Sequence, residues 1–153
     1  MKYLKYLILS LFVNAFLTSC SSTQEIKPDH NSMIELREAS NVLEKGYMEM
    51  IVEGSDRTIY VGDEIISSDE DIKSMESGFD PQGFPIIVVT LTEMGKIKFS
   101  AATKRLIKKY IAVLINGKVV MAPFVQEQLE TDTFVISGDL TLEEIDEIVS
   151  GFN

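Results

Sequence analysis

The strongest local structural signal in the sequence is the stretch Ile111-Ala112-Val113-Leu114-Ile115-Asn116-Gly117-Lys118-Val119-Val120-Met121-Ala122. Its two apolar runs flank Asn116-Gly117, a dipeptide that favours a type I′ turn because both of its positions accept positive φ. The stretch therefore predicts an antiparallel hairpin. Just upstream, the β-branched run 86–91 is typical of a strand that is covered on both faces.

A helix is predicted between these strands. Thr92 precedes a segment in which Phe99, Ala102 and Leu106 share one helical face, so we expect Thr92 to cap the helix. Gly95 lies on the same face. Because glycine costs a helix about 1 kcal/mol relative to alanine, its presence here indicates a close approach to the sheet.

Two further helices are predicted from capping boxes, in which a side chain at each end of the motif satisfies a backbone N–H. Ser68 with Asp71 predicts a short helix that carries Ile72 and Met75 inward. Thr141-Leu142-Glu143-Glu144 predicts a second main helix, which is amphipathic.

The other segments predict short strands joined by turns. The spacing of apolar residues in 34–43 fits both a strand and a helix, so the secondary structure of that segment is left undecided. Together the patterns predict an α+β domain: a largely antiparallel sheet of about five strands with two main helices packed on it. The additional strands are 48–52, 58–61, 64–66 (with a tight connection at Gly62-Asp63) and 133–137.

The N-terminal residues have the features of an export signal. Lys2 and Lys5 precede an apolar core at 6–17, which is shorter than the roughly 20 residues of a transmembrane helix. Leu17-Thr18-Ser19-Cys20 ends this core and resembles the lipobox of bacterial lipoproteins. The resemblance implies cleavage before Cys20, acyl chains on this residue, and anchoring to the extracytoplasmic side of the inner or outer membrane, facing the periplasm.

This resemblance divides the chain into a lipoprotein signal peptide (1–19), a lipidated flexible tether (20–32) and one domain (33–153). The full chain has a net charge of −10; loss of Lys2 and Lys5 leaves 12 cations against 24 anions, a net charge of −12. Such a charge disfavours nucleic acid as a partner.

Two groups of residues are candidates for binding a partner. One is a cluster of six cations that we place in a single predicted helix, either as a solvated face or as a docking surface for an acidic partner or lipid head groups. The other is the loop 123–126, either core packing or an apolar contact for a partner. The candidate residues are Lys104, Arg105, Lys108, Phe124 and Val125; Lys96, Lys98 and Lys109 complete the cluster.

Residues suited to catalysis are scarce. His30, the single histidine, lies in the predicted tether, where nothing orients it. Asp69-Glu70-Asp71 lacks the spacing and turn glycine of a calcium loop, and no phosphate-binding glycine motif occurs. We therefore predict no catalytic residue, metal or cofactor, and no enzymatic activity.

The ordered motifs over 59–152 resemble the head subdomain of the first periplasmic domain of SecD and SecDF. The resemblance implies a role in protein export and contact with polypeptide or with Sec translocon components. Neither the family's base subdomain nor its transmembrane bundle occurs in these 153 residues, so we expect passive binding rather than proton-driven pulling. The matching motifs are Tyr60-Val61-Gly62, Ile65-Ile66, Asp71-Ile72-Lys73, 85–92, 111–123, Val135-Ile136-Ser137-Gly138 and Thr141-Leu142-Glu143-Glu144.

The leading hypothesis is a lipid-anchored, non-enzymatic envelope protein that binds polypeptide or a protein partner in export or periplasmic folding. Contact through an open strand edge would suit unfolded chains. Two alternatives stay open: an acidic inhibitory or immunity-type lipoprotein that blocks one basic partner, and an envelope enzyme with a carboxylate site.

Overall fold

The structure, a computed structural model, describes residues 33–153; Cys20, His30 and the predicted signal and tether lie outside this range. All strand pairings within it are antiparallel. The strands are β1 (Ile34–Ser40), β2 (Met48–Ile51), β3 (Thr58–Ser68), β4 (Ile72–Phe79), β5 (Pro85–Leu91), β6 (Tyr110–Ile115), β7 (Lys118–Met121) and β8 (Thr133–Ile136), and the helices are α1 (Glu93–Arg105) and α2 (Leu142–Phe152).

The strands form two sheets. A five-stranded sheet has the order β2-β3-β1-β6-β7, and a three-stranded sheet has the order β4-β5-β8. The α+β class, the antiparallel pairing and a five-stranded sheet are confirmed. The second sheet was not predicted, because hydrophobic alternation reports which residues are buried and not which strands they pair with.

The main core lies between the two sheets. Leu36 and Val113 point into it from the five-stranded sheet, and Val89 and Ile136 point into it from the other. The helices close this core, with α2 contacting β4 and β5. No helix among the described residues is both long and apolar enough to cross a membrane.

The five-stranded sheet curls until its edges meet. The N–H of Glu53 donates to the carbonyl of Val119 at 2.8 Å, and the Arg57 guanidinium donates to the carbonyl of Ala122 at 3.0 Å. Inside the curl lies a second, smaller apolar core. Every residue of β1, the central strand, is buried, which explains why no strand or helix pattern was decisive over 34–43.

The predicted hairpin and both main helix starts are confirmed. Asn116 and Gly117 have φ of 49° and 78°, as the turn between β6 and β7 requires. The Thr92 hydroxyl accepts from the N–H of Gly95 at 3.0 Å. At the start of α2, the N–H of Thr141 donates to the Glu144 carboxylate at 2.8 Å, and the N–H of Glu144 donates back to the Thr141 hydroxyl at 3.3 Å.

A helical turn begins after Ser68 as predicted, but its predicted continuation through Ile72 and Met75 is wrong. A 3₁₀ turn over Asp69–Asp71 leads directly into β4. Ile72 and Met75 are buried as expected, but a register shift between Ile72 and Ser74 lets residues three apart point to the same side of a strand. This irregularity reproduces the spacing of a helical face.

Three smaller expectations also differ from the structure. The turn expected at Gly62-Asp63 does not form, because β3 runs through these residues without a break. Its pairing with β1 contains irregular register shifts instead. The cation-rich helix ends at Arg105, so Lys108 and Lys109 lie beyond it. The close approach of Gly95 is made to the carbonyl of Asp71 in the 3₁₀ turn rather than to a strand.

Candidate functional site

An apolar cleft of about 450 Å³ opens between β8 and the segment 121–129 that follows the β6–β7 hairpin. Its base is formed by inward-facing side chains of the main core and of α1. The lining residues are Leu36, Phe99, Thr103, Ile111, Val113, Met121, Pro123, Phe124, Val125, Gln126, Glu127, Leu129, Phe134 and Val135. We call this feature the β8 cleft.

The first wall of the β8 cleft, segment 121–129, is held in place by backbone pairing. The N–H of Val125 donates to the carbonyl of Lys109 at 2.8 Å, and the N–H of Lys108 donates back to the carbonyl of Val125 at 2.8 Å. Farther along, the N–H of Leu129 donates to the hydroxyl of Thr103 at 3.0 Å. Because Thr103 is buried on α1, this hydrogen bond attaches the first wall of the cleft to the helix.

Aromatic rings define the interior of the cleft. Phe99 of α1 stacks on Phe134 of β8, with ring centroids 5.5 Å apart. Phe124 packs edge-on against Tyr110 at 5.2 Å, yet 46% of its surface remains exposed. An apolar ligand side chain can therefore contact Phe124 without first moving it.

The second wall, β8, presents an open strand edge. The N–H of Leu91 donates to the carbonyl of Asp132 at 2.7 Å, which fixes which β8 residues bond to β5. In an antiparallel pair, every second residue directs its N–H and C=O toward the partner strand. The backbone groups of Phe134 and Ile136 therefore point toward β5, and those of Val135 point away from it. Val135 lines the cleft and is 44% exposed.

The positions on either side of Val135 along this edge are already occupied. The hydroxyl of Thr131 accepts from the N–H of Thr133 at 3.1 Å and donates to the carbonyl of Thr133 at 3.1 Å. At the other end, the N–H of Ser137 donates to the sulfur of Met121 at 3.4 Å. The open part of the edge is thus at Val135, which lines the cleft.

The residues proposed from sequence fall into two places. Phe124 and Val125 both lie in the cleft wall, Phe124 exposed and Val125 buried. Lys104, Arg105 and Lys108 lie at and beyond the C-terminal end of α1, outside the cleft lining. Binding by these residues stays a prediction. Sequence reasoning missed Val135 and Phe134, although it predicted their strand.

Half of the basic cluster is engaged in ion pairs. Arg105 and Lys109 both contact the largely buried carboxylate of Glu38. Burial tends to raise the pKa of Glu38, but hydrogen bonds from Lys109 and Tyr47 and the charges of Lys109 and Arg105 together hold that pKa below its ordinary value. Lys98 pairs with the buried carboxylate of Asp71 at 2.8 Å. Within the described residues, the cations of the cluster without an ion pair are Lys96, Lys104 and Lys108.

The lining of the cleft is mostly apolar. The single charged lining residue is Glu127. Across residues 33–153, no three side chains of the metal-binding types come together as a metal site. An apolar groove beside an unpaired strand edge matches the way many domains hold extended peptides.

Comparison with known proteins gives a consistent result. Residues 42–150 match the family model described as "SecDF, P1 head subdomain". The chain is 29% identical over 120 residues to the protein translocase subunit SecD of Magnetococcus marinus, covering 78% of this chain and 21% of that protein. It is 32% identical over 78 residues to the protein translocase subunit SecDF of Thermus thermophilus, covering 51% of this chain and 11% of that protein.

A solved structure has the same fold. A chain from the study "Structure and function of a membrane component SecDF that enhances protein export" superposes with a TM-score of 0.64 at 20% identity, covering 79% of this chain and 61% of that chain. The chain thus spans about a fifth or less of the length of the two relatives named above. Because the family model covers more than two thirds of its residues, the chain belongs to the SecDF P1 head subdomain family.

Proposed function

We propose that this chain is a lipid-anchored, non-enzymatic protein of the cell envelope that binds polypeptide in connection with protein export or periplasmic folding. The single observation that carries the proposal is the open backbone edge of Val135 beside the apolar β8 cleft. The names of the relatives, translocase subunits SecD and SecDF, support the link to export. The lipobox-like Cys20 supports the membrane anchor.

The proposed site would accept a short extended segment. The N–H and C=O of Val135 together offer one pair of hydrogen bonds to an extended chain. The side chain of the paired residue then points to one face of the sheet, and the side chains of its two neighbours point to the opposite face. A segment of roughly four residues fills the distance between Thr133 and Ile136 at about 3.4 Å per residue. Affinity from so short a segment is modest, which suits transient contact with a moving chain.

Peptide binding to the full chain in nanodiscs of neutral lipid tests the proposal, with empty nanodiscs as the blank. We expect a labelled apolar peptide to bind, and Phe124→Ala to weaken binding about 5- to 30-fold, the effect of removing one aromatic contact. Phe84→Ala is the matched control, because the ring of Phe84 is 67% exposed in the β4–β5 turn, outside the cleft lining.

The backbone contribution has its own test. A series of peptides, each N-methylated at one position, removes one N–H at a time. We expect a sharp loss at the residue that pairs with Val135 and little effect at its two neighbours, whose N–H groups point away from β8. Equal tolerance of methylation at every position, or equal losses in Phe124→Ala and Phe84→Ala, would contradict binding by strand addition in this cleft.

A further inference from the structure

The charges of this domain are distributed unevenly along the chain. After Lys118, residues 119–153 contain no lysine, arginine or histidine. The same residues form one wall of the β8 cleft, β8 itself and α2. They carry eight carboxylates: Glu127, Glu130, Asp132, Asp139, Glu143, Glu144, Asp146 and Glu147.

Three of these carboxylates lie in or next to the walls of the β8 cleft. Glu127 lines the cleft, and Glu130 and Asp132 lie on the short connection that joins its two walls. All three residues are exposed, and in the described part of the chain none of them forms an ion pair. We call them the acidic rim. The unpaired Lys104 and Lys108 lie near the end of α1 and are not among the residues that line the cleft.

From this arrangement we infer that the β8 cleft selects extended apolar segments flanked by lysine or arginine. The inference rests on the proposed function, since it specifies which polypeptides that site accepts. An apolar side chain of the segment contacts Phe124 and Phe134, while a cation next to it lies close to the acidic rim. A segment flanked by carboxylates meets like charge at the same place and is disfavoured.

The ratio of affinities for lysine-flanked and carboxylate-flanked segments is limited because the carboxylates of the acidic rim are exposed to solvent. Each exposed pair of opposite charges changes a binding constant about 1.4- to 5-fold, so two or three such interactions give a preference of about tenfold at low salt. The preference must shrink as salt is raised, because exposed charges are screened beyond a Debye length. Contact with the apolar cleft is not screened in this way.

Three labelled peptides with one shared apolar core test the inference. Their flanks carry lysine, serine or glutamate, and each is titrated against the full chain in neutral-lipid nanodiscs at low and at high salt. We expect the lysine peptide to bind best and the glutamate peptide worst, with about a tenfold range at low salt that narrows at high salt. Equal binding of all three would overturn the inference while leaving polypeptide binding intact. If none binds, the proposed function fails and this inference with it.

Variants then assign the preference to the rim. The triple variant Glu127→Gln/Glu130→Gln/Asp132→Asn should bring the lysine and glutamate peptides to within roughly twofold of each other. The matched control Glu76→Gln/Glu143→Gln/Asp146→Asn makes the same change in net charge at exposed positions of β4 and α2, and should keep the preference. If both variants lose it equally, the net charge of the protein and not the rim is responsible, which also overturns the inference.

Discussion

An alanine Cβ placed at Gly95 would lie 2.2 Å from the carbonyl oxygen of Asp71. That carbonyl also accepts the N–H of Thr92 at 2.9 Å, so it is fixed against the first turn of α1. The absence of a side chain at Gly95 is what lets the helix pack on the 3₁₀ turn. Because α1 supplies Phe99 and Thr103 to the β8 cleft, this contact also sets the position of the cleft base.

Gly95→Ala should therefore destabilise the domain. Alanine is the better helix former by about 1 kcal/mol, but the clash involves backbone that cannot rotate away, and overpacking of this kind costs about 1–3 kcal/mol or more. We expect a net loss in the free energy of unfolding, measured by urea denaturation. Gly151→Ala in α2 is the control, since its new Cβ would meet only the flexible end of Met33 at 3.1 Å. Equal behaviour of the two variants would show that the contact with Asp71 is unimportant.

The Glu38 cluster should make stability depend on pH at both extremes. The folded pKa of Glu38 lies below its ordinary value of 4.5, so the stability it contributes is present above that value and is lost as pH falls through the folded pKa. The hydrogen bond that the Lys109 ammonium donates to Glu38 raises the pKa of Lys109 above its ordinary value of 10.5, so the stability contributed by Lys109 is lost as pH rises through that higher pKa.

Glu38→Gln tests this dependence. At neutral pH we expect a loss of about 1–2 kcal/mol, a reduced figure because Lys109 and Arg105 are about half exposed. The difference from the native chain should shrink as pH falls below 4.5. Urea denaturation over a pH series measures it. Glu53→Gln, whose pair with Lys118 is exposed and 3.7 Å long, should change stability little, and a constant gap between native and Glu38→Gln down to acid pH would contradict the prediction.

Thr103 should control the mobility of the cleft wall. Its hydroxyl donates to the carbonyl of Phe99 at 3.0 Å and accepts the N–H of Leu129. Thr103→Val removes both interactions at nearly constant volume, so we expect about 1–2 kcal/mol of destabilisation and faster amide hydrogen exchange at Leu129. Thr103→Ser keeps the hydroxyl and should retain slow exchange. Unchanged exchange at Leu129 in the valine variant would show that the wall is held by other contacts.

Cys20 is expected to determine membrane attachment. Cys20→Ala should abolish incorporation of labelled fatty acid and move the protein from the membrane fraction to the soluble fraction, because the thiol is the proposed attachment point of the acyl chains. Ser21→Ala, one residue further on, should leave both readouts unchanged. Retained lipid labelling in Cys20→Ala would refute the lipobox assignment.

Local signals in the sequence predicted local structure well. Asn116-Gly117, Thr92 and Thr141 each act through hydrogen bonds and φ values within a few residues, and the structure has a turn or helix start at each. At Ser68 the same kind of signal predicted only the first helical turn, because the 3₁₀ turn over Asp69–Asp71 leads into a strand. There, pairing of β4 with β5 outweighed the tendency to continue the turn as a helix.

The candidate site was only partly predictable for the same reason. Phe124 was identified as an apolar side chain after a hairpin, but its neighbour in the cleft, Val135, lies on a strand that looks ordinary in sequence. Whether a strand is central or at an edge depends on its partners, and partners are chosen by contacts between distant residues.

Four features follow from the amino-acid sequence alone, because each depends on neighbouring residues or on composition: the antiparallel hairpin, the two helix starts, the apolar faces and the acidic character of 119–153. Three others depend on the three-dimensional structure: the division of the strands into two sheets, the contact of Glu53 with Val119 that closes the curl, and the place of Val135 at an open edge. These features depend on which distant strands pair, and that choice reflects the packing of the whole core rather than the preference of any one segment.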